Sequence, residues 1–286
     1  MENLEFVRKN HEGAGEAIRI REKNGIPYLT YPLLEGCGGY VHGFSTRLGG
    51  VSEGIYKSMN LSFTRGDEEA AVRENFKRIA AAIGFPCENI ICSDQTHTTN
   101  VRVVTERDRG NGITREKEFY DTDGLVTNVP GLVLATFYAD CVPLFFIDPI
   151  HRAIGLSHSG WRGTVERMGE KTLRVMAEAF GTRPEDVFTA IGPSICADCY
   201  EVSQDVADAF MEAFAQEAGQ LLYPKGNGKY QLDLWKANEL VLLHAGIIPA
   251  HLAVTDICTC CNPDLLFSHR ASQGKRGNLG AFLSIS

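Results

Sequence analysis

Three separated segments carry the side chains best suited to chemistry: Asp94-Gln95-Thr96-His97, Ala139-Asp140-Cys141-Val142-Pro143 and His158-Ser159-Gly160-Trp161-Arg162-Gly163-Thr164. Each sets an imidazole or a thiol near the end of an apolar run, where a strand can deliver a side chain rigidly to a pocket. Two imidazoles and one thiol suit a zinc ion with one coordination position left open. Singly, each residue has a plainer use, since a free Cys packs as a small hydrophobe and a His beside a strand end is more often a satisfied structural group. Pro143 moves Cys141 toward a functional reading, because Pro is excluded from central strands and marks where pairing ends or bulges. His158 leads through a glycine-containing turn to a helix start, where unpaired N–H groups favour anions.

Arg47, in Ser45-Thr46-Arg47-Leu48-Gly49-Gly50, and Arg270, in Phe267-Ser268-His269-Arg270, are the candidate anion ligands, with a turn salt bridge and a surface ion pair as the bland alternatives. Gln95 could orient a substrate or a water. Cys196-Ala197-Asp198-Cys199 is a C-x-x-C that Cys258-Thr259-Cys260-Cys261 could complete as a four-thiolate zinc site, although it lacks knuckle glycines and its partner reads C-x-C-C. A redox role is weaker, because Gly192-Pro193-Ser194-Ile195 precedes the motif where a thioredoxin-like unit would open a helix. The nine Cys are an odd number, and Met1-Glu2-Asn3-Leu4-Glu5 has no basic or apolar leader character, so reduced thiols and a cytoplasmic protein are expected.

The elements that must position these groups are legible in the spacing. Val72, Phe76, Ile79 and Ile83 predict a helix over Glu69 to Ile83, stopped by Gly84. Asn24 to Ser62 reads as β structure with tight turns. Further strands are expected at Ile90 to Cys92, Val101 to Val104, Gly124 to Val126, Leu132 to Ile147 as a pair or one bent strand, Ala153 to Leu156, Val187 to Ile191 and Leu252 to Asp256. Helices are expected from an N-cap at Thr164 to Phe180, over Ser203 to Ala218 and over Leu234 to Ala245. The fold class is α/β with mixed sheets flanked by helices, in one domain over 1–286 with 1–25 as an N-terminal extension.

Composition narrows the function. With 286 residues, 44% of them hydrophobic, the chain can build a substantial core. A net charge of -8 and a pI near 5.5 argue against nucleic acid as a partner, and isolated Arg residues beside glycines suit one small anion better than a polymer. The longest apolar stretch, Gly131 to Phe146, is broken by Asp140 and Pro143 and falls short of the roughly 20 residues a membrane span needs.

The segments above, with Gly43 to Ser52, Met59-Asn60-Leu61, Gly192-Pro193-Ser194-Ile195 and Phe267-Ser268-His269-Arg270, resemble the YfiH/YlmD family from about Pro27 to the C-terminus. This group was once labelled polyphenol oxidase or laccase and is related to the human laccase-domain protein. The resemblance implies a layered α/β fold likened to the deamidase domain of cytotoxic necrotizing factors. It further implies zinc on His97, Cys141 and His158, and phosphorolysis of adenosine, inosine and methylthioadenosine with adenosine deamination alongside; the sequence does not fix the oligomeric state, and a monomer is the expectation. Arg47, Asn60, Gln95 and Arg270 are then the substrate-binding candidates, with Arg47 on phosphate. Thr98 stands where the family pattern has Gly, and His269 and Ala271 stand where it has Tyr and Arg.

The eight His include no H-x-H pair, so a laccase-type copper cluster is not expected, although two His and one Cys could take up Cu²⁺ in vitro. For deamination, a zinc-activated water would attack the purine C6. Asp140 is a tempting proton carrier, but it shares a pocket with Cys141 only if a bulge intervenes. The main alternative is a metal-free cysteine amidohydrolase acting on peptidoglycan precursors, with Cys141 as nucleophile and His158 or His97 as base. A non-catalytic nucleotide-binding module is the other.

Overall fold

The computed structural model describes residues 4–9 and 17–286. In chain order the strands are β1 (Arg19–Lys23), β2 (Ile26–Thr30), β3 (Tyr40–Ser45), β4 (Ile90–Cys92), β5 (Val101–Val103), β6 (Gly124–Thr127), β7 (Val133–Tyr138), β8 (Val142–Asp148), β9 (Ala153–Ser159), β10 (Phe188–Ile191), β11 (Glu201–Ser203), β12 (Leu222–Gly226), β13 (Lys229–Leu232), β14 (Leu252–Val254) and β15 (Leu279–Ile285). The α-helices are α1 (Pro32–Glu35), α2 (Glu69–Ile83), α3 (Trp161–Val165), α4 (Met168–Phe180), α5 (Gln204–Ala213), α6 (Ala218–Leu221) and α7 (Leu234–His244).

Among the described residues these strands form two six-stranded sheets, ordered β1-β2-β3-β15-β7-β4 and β14-β10-β8-β9-β6-β5, and a three-stranded sheet ordered β11-β13-β12. Both large sheets are mixed: β4 runs parallel to β7, β5 to β6 and β10 to β14, while the other pairs are antiparallel.

The layers follow from alternation along the strands. Phe145, Ile147, Ile154 and Leu156 of β8 and β9 pack with Leu29, Phe44, Leu134 and Leu283 of the facing sheet. Their neighbours Leu144, Phe146 and Ala153 turn the other way, into a core with Met176, Phe210 and Val241 of α4, α5 and α7. Val133, Ala135 and Phe282 back onto Val72, Phe76 and Ile79 of α2. The order is helix, sheet, sheet, helices. Strands covered on both faces must be apolar on both, which is why β8 and β9 read as unbroken apolar runs and are buried along their whole length.

The mixed α/β expectation holds, and α2 has its expected bounds, closed by Gly84 at φ 108°. The stretch from Leu132 to Ile147 is a pair of strands. Three details differ. The expected helix capped by Thr164 begins earlier, at Trp161, because β9 runs on through His158 to Ser159 and Gly160 takes the extended cap position. It then breaks at Arg167, whose φ of 61° separates α3 from α4. The expected helix over Ser203 to Ala218 is divided, since Phe214 ends α5 and Ala218 opens α6.

Pro143 lies inside β8, as its second residue and opposite His158, while β10 pairs only from Leu144 onward. A strand start is a place Pro is tolerated. Within the span expected as an N-terminal extension, 1–25, part of the chain joins the first sheet. Arg19–Lys23 pairs with β2 as an edge strand, and Val7 and Arg8 are tied to Asn262 and Asp256; residues 1–3 and 10–16 lie outside the described residues. Among the described residues no helix is long and apolar enough to cross a membrane.

Phe145 is fully buried between the sheets, its ring 4.9 Å from that of Tyr31. Phe145→Ala is expected to lower the unfolding free energy in urea by about 3–5 kcal/mol. A loss below about 1 kcal/mol would mean that the two sheets share no tight core at this point.

Candidate active site

The turn from β7 to β8 carries the chain from one large sheet to the other in three residues, Ala139, Asp140 and Cys141. Asp140 adopts a left-handed φ of 88°, and three contacts hold it there. Its Oδ1 accepts from the Thr259 hydroxyl at 2.7 Å, its Oδ2 from the Arg270 N–H at 2.7 Å, and its carbonyl from the Ile195 N–H at 3.0 Å. Such a turn is strained for a residue other than Gly and needs outside support. It delivers Cys141 half-buried at the start of β8. Asp140 borders a pocket with Cys141, as a bulge would have allowed, yet both of its carboxylate oxygens are occupied.

His97 arrives from the loop that follows β4, and His158 from the end of β9. One buried carboxylate governs both. Asp123, fully buried just before β6, accepts from the N–H groups of Thr96, His97 and Thr98 at 3.0, 3.2 and 3.0 Å and stands 2.7 Å from His158 Nδ1. A carboxylate there makes Nδ1 the protonated nitrogen and leaves Nε2 as the ligand atom.

The donor atoms of His97, Cys141 and His158 all lie within 4.8 Å of one another, with Cys141 Sγ 4.0 Å from His97 Nε2. The imidazole rings are nearly perpendicular, their centroids 5.0 Å apart. Gly160 makes this approach possible: a Cβ there would lie 3.1 Å from the His97 ring and 3.4 Å from the Cys141 sulfur. Donor atoms on one tetrahedral zinc are roughly 3.3–3.8 Å apart, so two nitrogens and a sulfur at these separations fit the ion with a small closure.

Electrostatics within the trio are mutual. Burial opposes both charges, but the positive charge and hydrogen bond of His158 bring the Cys141 thiol down to about 6, while the thiolate and Asp123 lift His158 to about 9. Burial would raise the Asp123 carboxyl, and the His158 hydrogen bond and charge outweigh it, leaving the carboxyl below its ordinary value.

Two cavities meet at the trio. The larger, about 500 Å³, is reached by all three residues and by the rings of Phe63 and Phe137. Its cations are Arg65, Arg73, Arg115, Lys117 and Arg276. Arg73, Arg115 and Lys117 are paired with Glu69, Glu118 and Asp94. Arg65 and Arg276 have no ion pair among the described residues, and the buried Nε of Arg276 has no hydrogen-bond partner. Burial, and then the charge of Arg65, lower the Arg276 guanidinium to about 10. The smaller cavity, about 160 Å³, opens on the other side of His97 and Cys141, against Trp161, Arg162 and Tyr200.

The other expected ligands are placed differently. Gln95 lines the large cavity, but its amide is taken up by the backbone N–H and carbonyl of Phe137, both at 2.7 Å. Arg47 is off both cavities: its guanidinium donates to the carbonyls of Lys57 and Pro263 and lies over the Phe267 ring at 4.5 Å. Asn60 is fully buried and ties Ser62, Asp67 and Asn278 together. Arg270 donates to the carbonyls of Cys199 and Glu201. Asn60 and Arg270 brace the walls through Ser62, Asn278 and Asp140, while Arg47 ties loops together away from both cavities. Sequence reasoning missed Asp123, Arg65 and Arg276, although an Asp immediately before the apolar run at Gly124 and an Arg beside Gly277 were signals of the kind that flagged the others.

A family model described as "Multi-copper polyphenol oxidoreductase laccase" matches residues 41–286. The chain belongs to this laccase-like YfiH family. Among YfiH-family relatives, the purine nucleoside phosphorylase YlmD of Bacillus subtilis is 37% identical over 249 residues, covering 86% of this chain and 88% of the relative. Adenosine deaminase RL5, from an unknown prokaryotic organism, is 33% identical over 232 residues, covering 80% and 88%. The crystal structure of YfiH from Bacillus licheniformis aligns with a TM-score of 0.88 at 32% identity, over 93% of this chain and 99% of that one. Both sequence relatives are named as enzymes, and this YfiH-family chain is an enzyme of that type. The multi-copper description finds no paired-histidine cluster among the described residues, where the candidate metal groups are the His97–Cys141–His158 trio and a set of four cysteines.

In protein stripped of metal, alkylation of Cys141 by iodoacetamide should reach half its plateau rate near pH 6, followed on the Cys141 peptide by mass spectrometry. A depressed pKa keeps the thiolate above that pH and loses it below. A midpoint near the ordinary value of about 8.5 would show that His158 does not stabilise the thiolate.

Proposed function

We propose that the chain is a zinc-dependent purine nucleoside enzyme that cleaves adenosine, inosine and methylthioadenosine with phosphate and also deaminates adenosine. The observation that carries this is a metal-competent trio opening into a 500 Å³ cavity with two unpaired arginines on its wall. The volume suits a nucleoside, given that small-molecule sites span about 300–1,000 Å³. The names of the relatives supply the substrate class.

His97 Nε2, Cys141 Sγ and His158 Nε2 would hold the zinc. When bound, it supplies Lewis acidity at neutral pH. The surrounding residues do the rest. Asp123 fixes the orientation of His158 and the loop of His97. Arg276, whose Nη1 is held by Asn278 and the Gly277 carbonyl and whose Nε is free, would hold phosphate together with Arg65, and a phosphate oxygen bonds to C1′ of the ribose. The C1′–N9 bond breaks, its electron pair stays with the purine, and the base takes up a proton. Phe137 offers an apolar surface for the base, beside Phe63, whose ring is stacked on Phe76 and lies under Arg73. Phosphate moves from Arg47, the sequence-level choice, to Arg276 because Arg47 faces only carbonyls and a ring.

Arg276→Met should raise the phosphate KM about tenfold or more while leaving zinc content unchanged, as expected when a charge-assisted contact worth about 1.5–3 kcal/mol is removed. An unaltered phosphate dependence would take Arg276 out of the site. Asp123→Asn should weaken zinc binding by about 10–100-fold in a chelator competition, and wild-type affinity would mean that the carboxylate does not organise the ligands.

A second reading is favoured by one observation: without metal, Cys141 stands beside the imidazoles of His97 and His158, and Asp123 holds His158 Nδ1 at 2.7 Å, a thiol, base and carboxylate set as in a cysteine amidohydrolase. Amide turnover by chelator-treated protein, abolished by alkylation, would favour it. Copper uptake in vitro is compatible with either reading.

A further inference from the structure

Four cysteines that the nucleoside chemistry does not use converge about the turn next to Cys141. The sulfurs of Cys196, Cys199, Cys258 and Cys261 all lie within 4.8 Å of one another, with Cys199 Sγ 3.5 Å from Cys261 Sγ. The spacing that reads as C-x-C-C in the sequence resolves into a second C-x-x-C, Cys258 to Cys261, with Cys260 as a spacer. The two arms run side by side: Ser194 bridges Cys258 in parallel, and the Thr259 N–H donates to the Ser194 carbonyl at 3.1 Å.

We propose that these four thiolates bind a zinc ion as a closed structural site, separate from the catalytic trio. A tetrahedron with Zn–S bonds of about 2.3 Å has edges of about 3.8 Å, close to the sulfur separations here. A backbone donor is already in place. The Cys196 N–H reaches Cys258 Sγ at 3.3 Å, and the Cys199 N–H donates to the Cys196 carbonyl at 3.1 Å, which closes the first arm into a turn. The N–H on Cys258 relieves part of the charge that four thiolates gather on one ion. Lys9, bonded to Asp198 at 2.9 Å, adds a positive charge beside Cys196 and Cys261. Cys196 and Cys258 are buried and the others half-buried, and four protein ligands leave no position open, the signature of a structural rather than a catalytic zinc.

The site would clamp the turn that presents Cys141. Ile195, next to the first arm, and Thr259, inside the second, both donate to Asp140, and Arg270 links the Cys199 carbonyl to the other oxygen of Asp140.

Protein purified without added metal should contain about two zinc ions per chain by atomic emission, and Cys141→Ala should retain about one. Cobalt loaded into Cys141→Ala should show strong thiolate-to-metal charge transfer, because that variant keeps only the four-sulfur site. Cys258→Ser should also fall to about one zinc, still held by the trio. A wild-type content of one zinc that Cys141→Ala abolishes, Cys141→Ala without cobalt–thiolate bands, or Cys199–Cys261 recovered as a disulfide by mass spectrometry would each overturn the proposal. If Cys258→Ser does not fold, the Cys141→Ala measurements decide it. Retention of zinc by Cys141→Ala also separates this site from failure of the nucleoside reading, which concerns only the trio.

Discussion

Asp123 is a carboxylate enclosed by protein, and an enclosed charge must find every partner within hydrogen-bond reach. It finds them in the N–H groups of Thr96, His97 and Thr98 and in the His158 ring, so one anion joins the loop between β4 and β5 to the end of β9. His97 holds its left-handed backbone, φ 66°, because its own N–H and both flanking ones point at that charge. Without the carboxylate, three peptide donors would converge on nothing, and the His158 tautomer would be unset. The geometry of the site is therefore an electrostatic consequence of a residue outside the trio.

A second constraint works from below. Cys141 depends on the left-handed Asp140, and Asp140 depends on Thr259, Arg270 and Ile195, which come from two later segments of the chain. The site thus rests on long-range contacts: its nucleophilic or metal-binding sulfur is presented by residues more than fifty positions downstream. Arg65 and Arg276 add the opposite kind of tension, since two like charges share a wall and Arg276 keeps a buried N–H without a partner.

The trio was legible because its members sit where apolar runs stop, and a strand end is a feature of local sequence. Asp123 was not, because its role arises only when the loop of Thr96 to Thr98, some 25 residues earlier, folds back over it. The partners of Arg47 were hidden for the same reason: glycines beside an Arg suggest an anion, whereas it donates to carbonyls ten and 216 residues away. The sheet pairs and α2 follow from periodicity that a window can detect. The break between α3 and α4 rests on the backbone of the single residue Arg167, which has no compositional signature. Among the thiols, the C-x-x-C was visible, but the pairing of its arm with Cys258 and Cys261 needed β10 and β14 to be adjacent and parallel.

The two large sheets meet at the site, and this shapes how the enzyme can vary. His97 lies in the loop that leads from β4 of one sheet to β5 of the other, His158 near the end of β9, and Cys141 in the link from β7 to β8. The distances among the three donors consequently act as a gauge of how one sheet is seated on the other. A substitution among the residues between the sheets can retune the site from a distance, by sliding one layer on the next without touching any ligand.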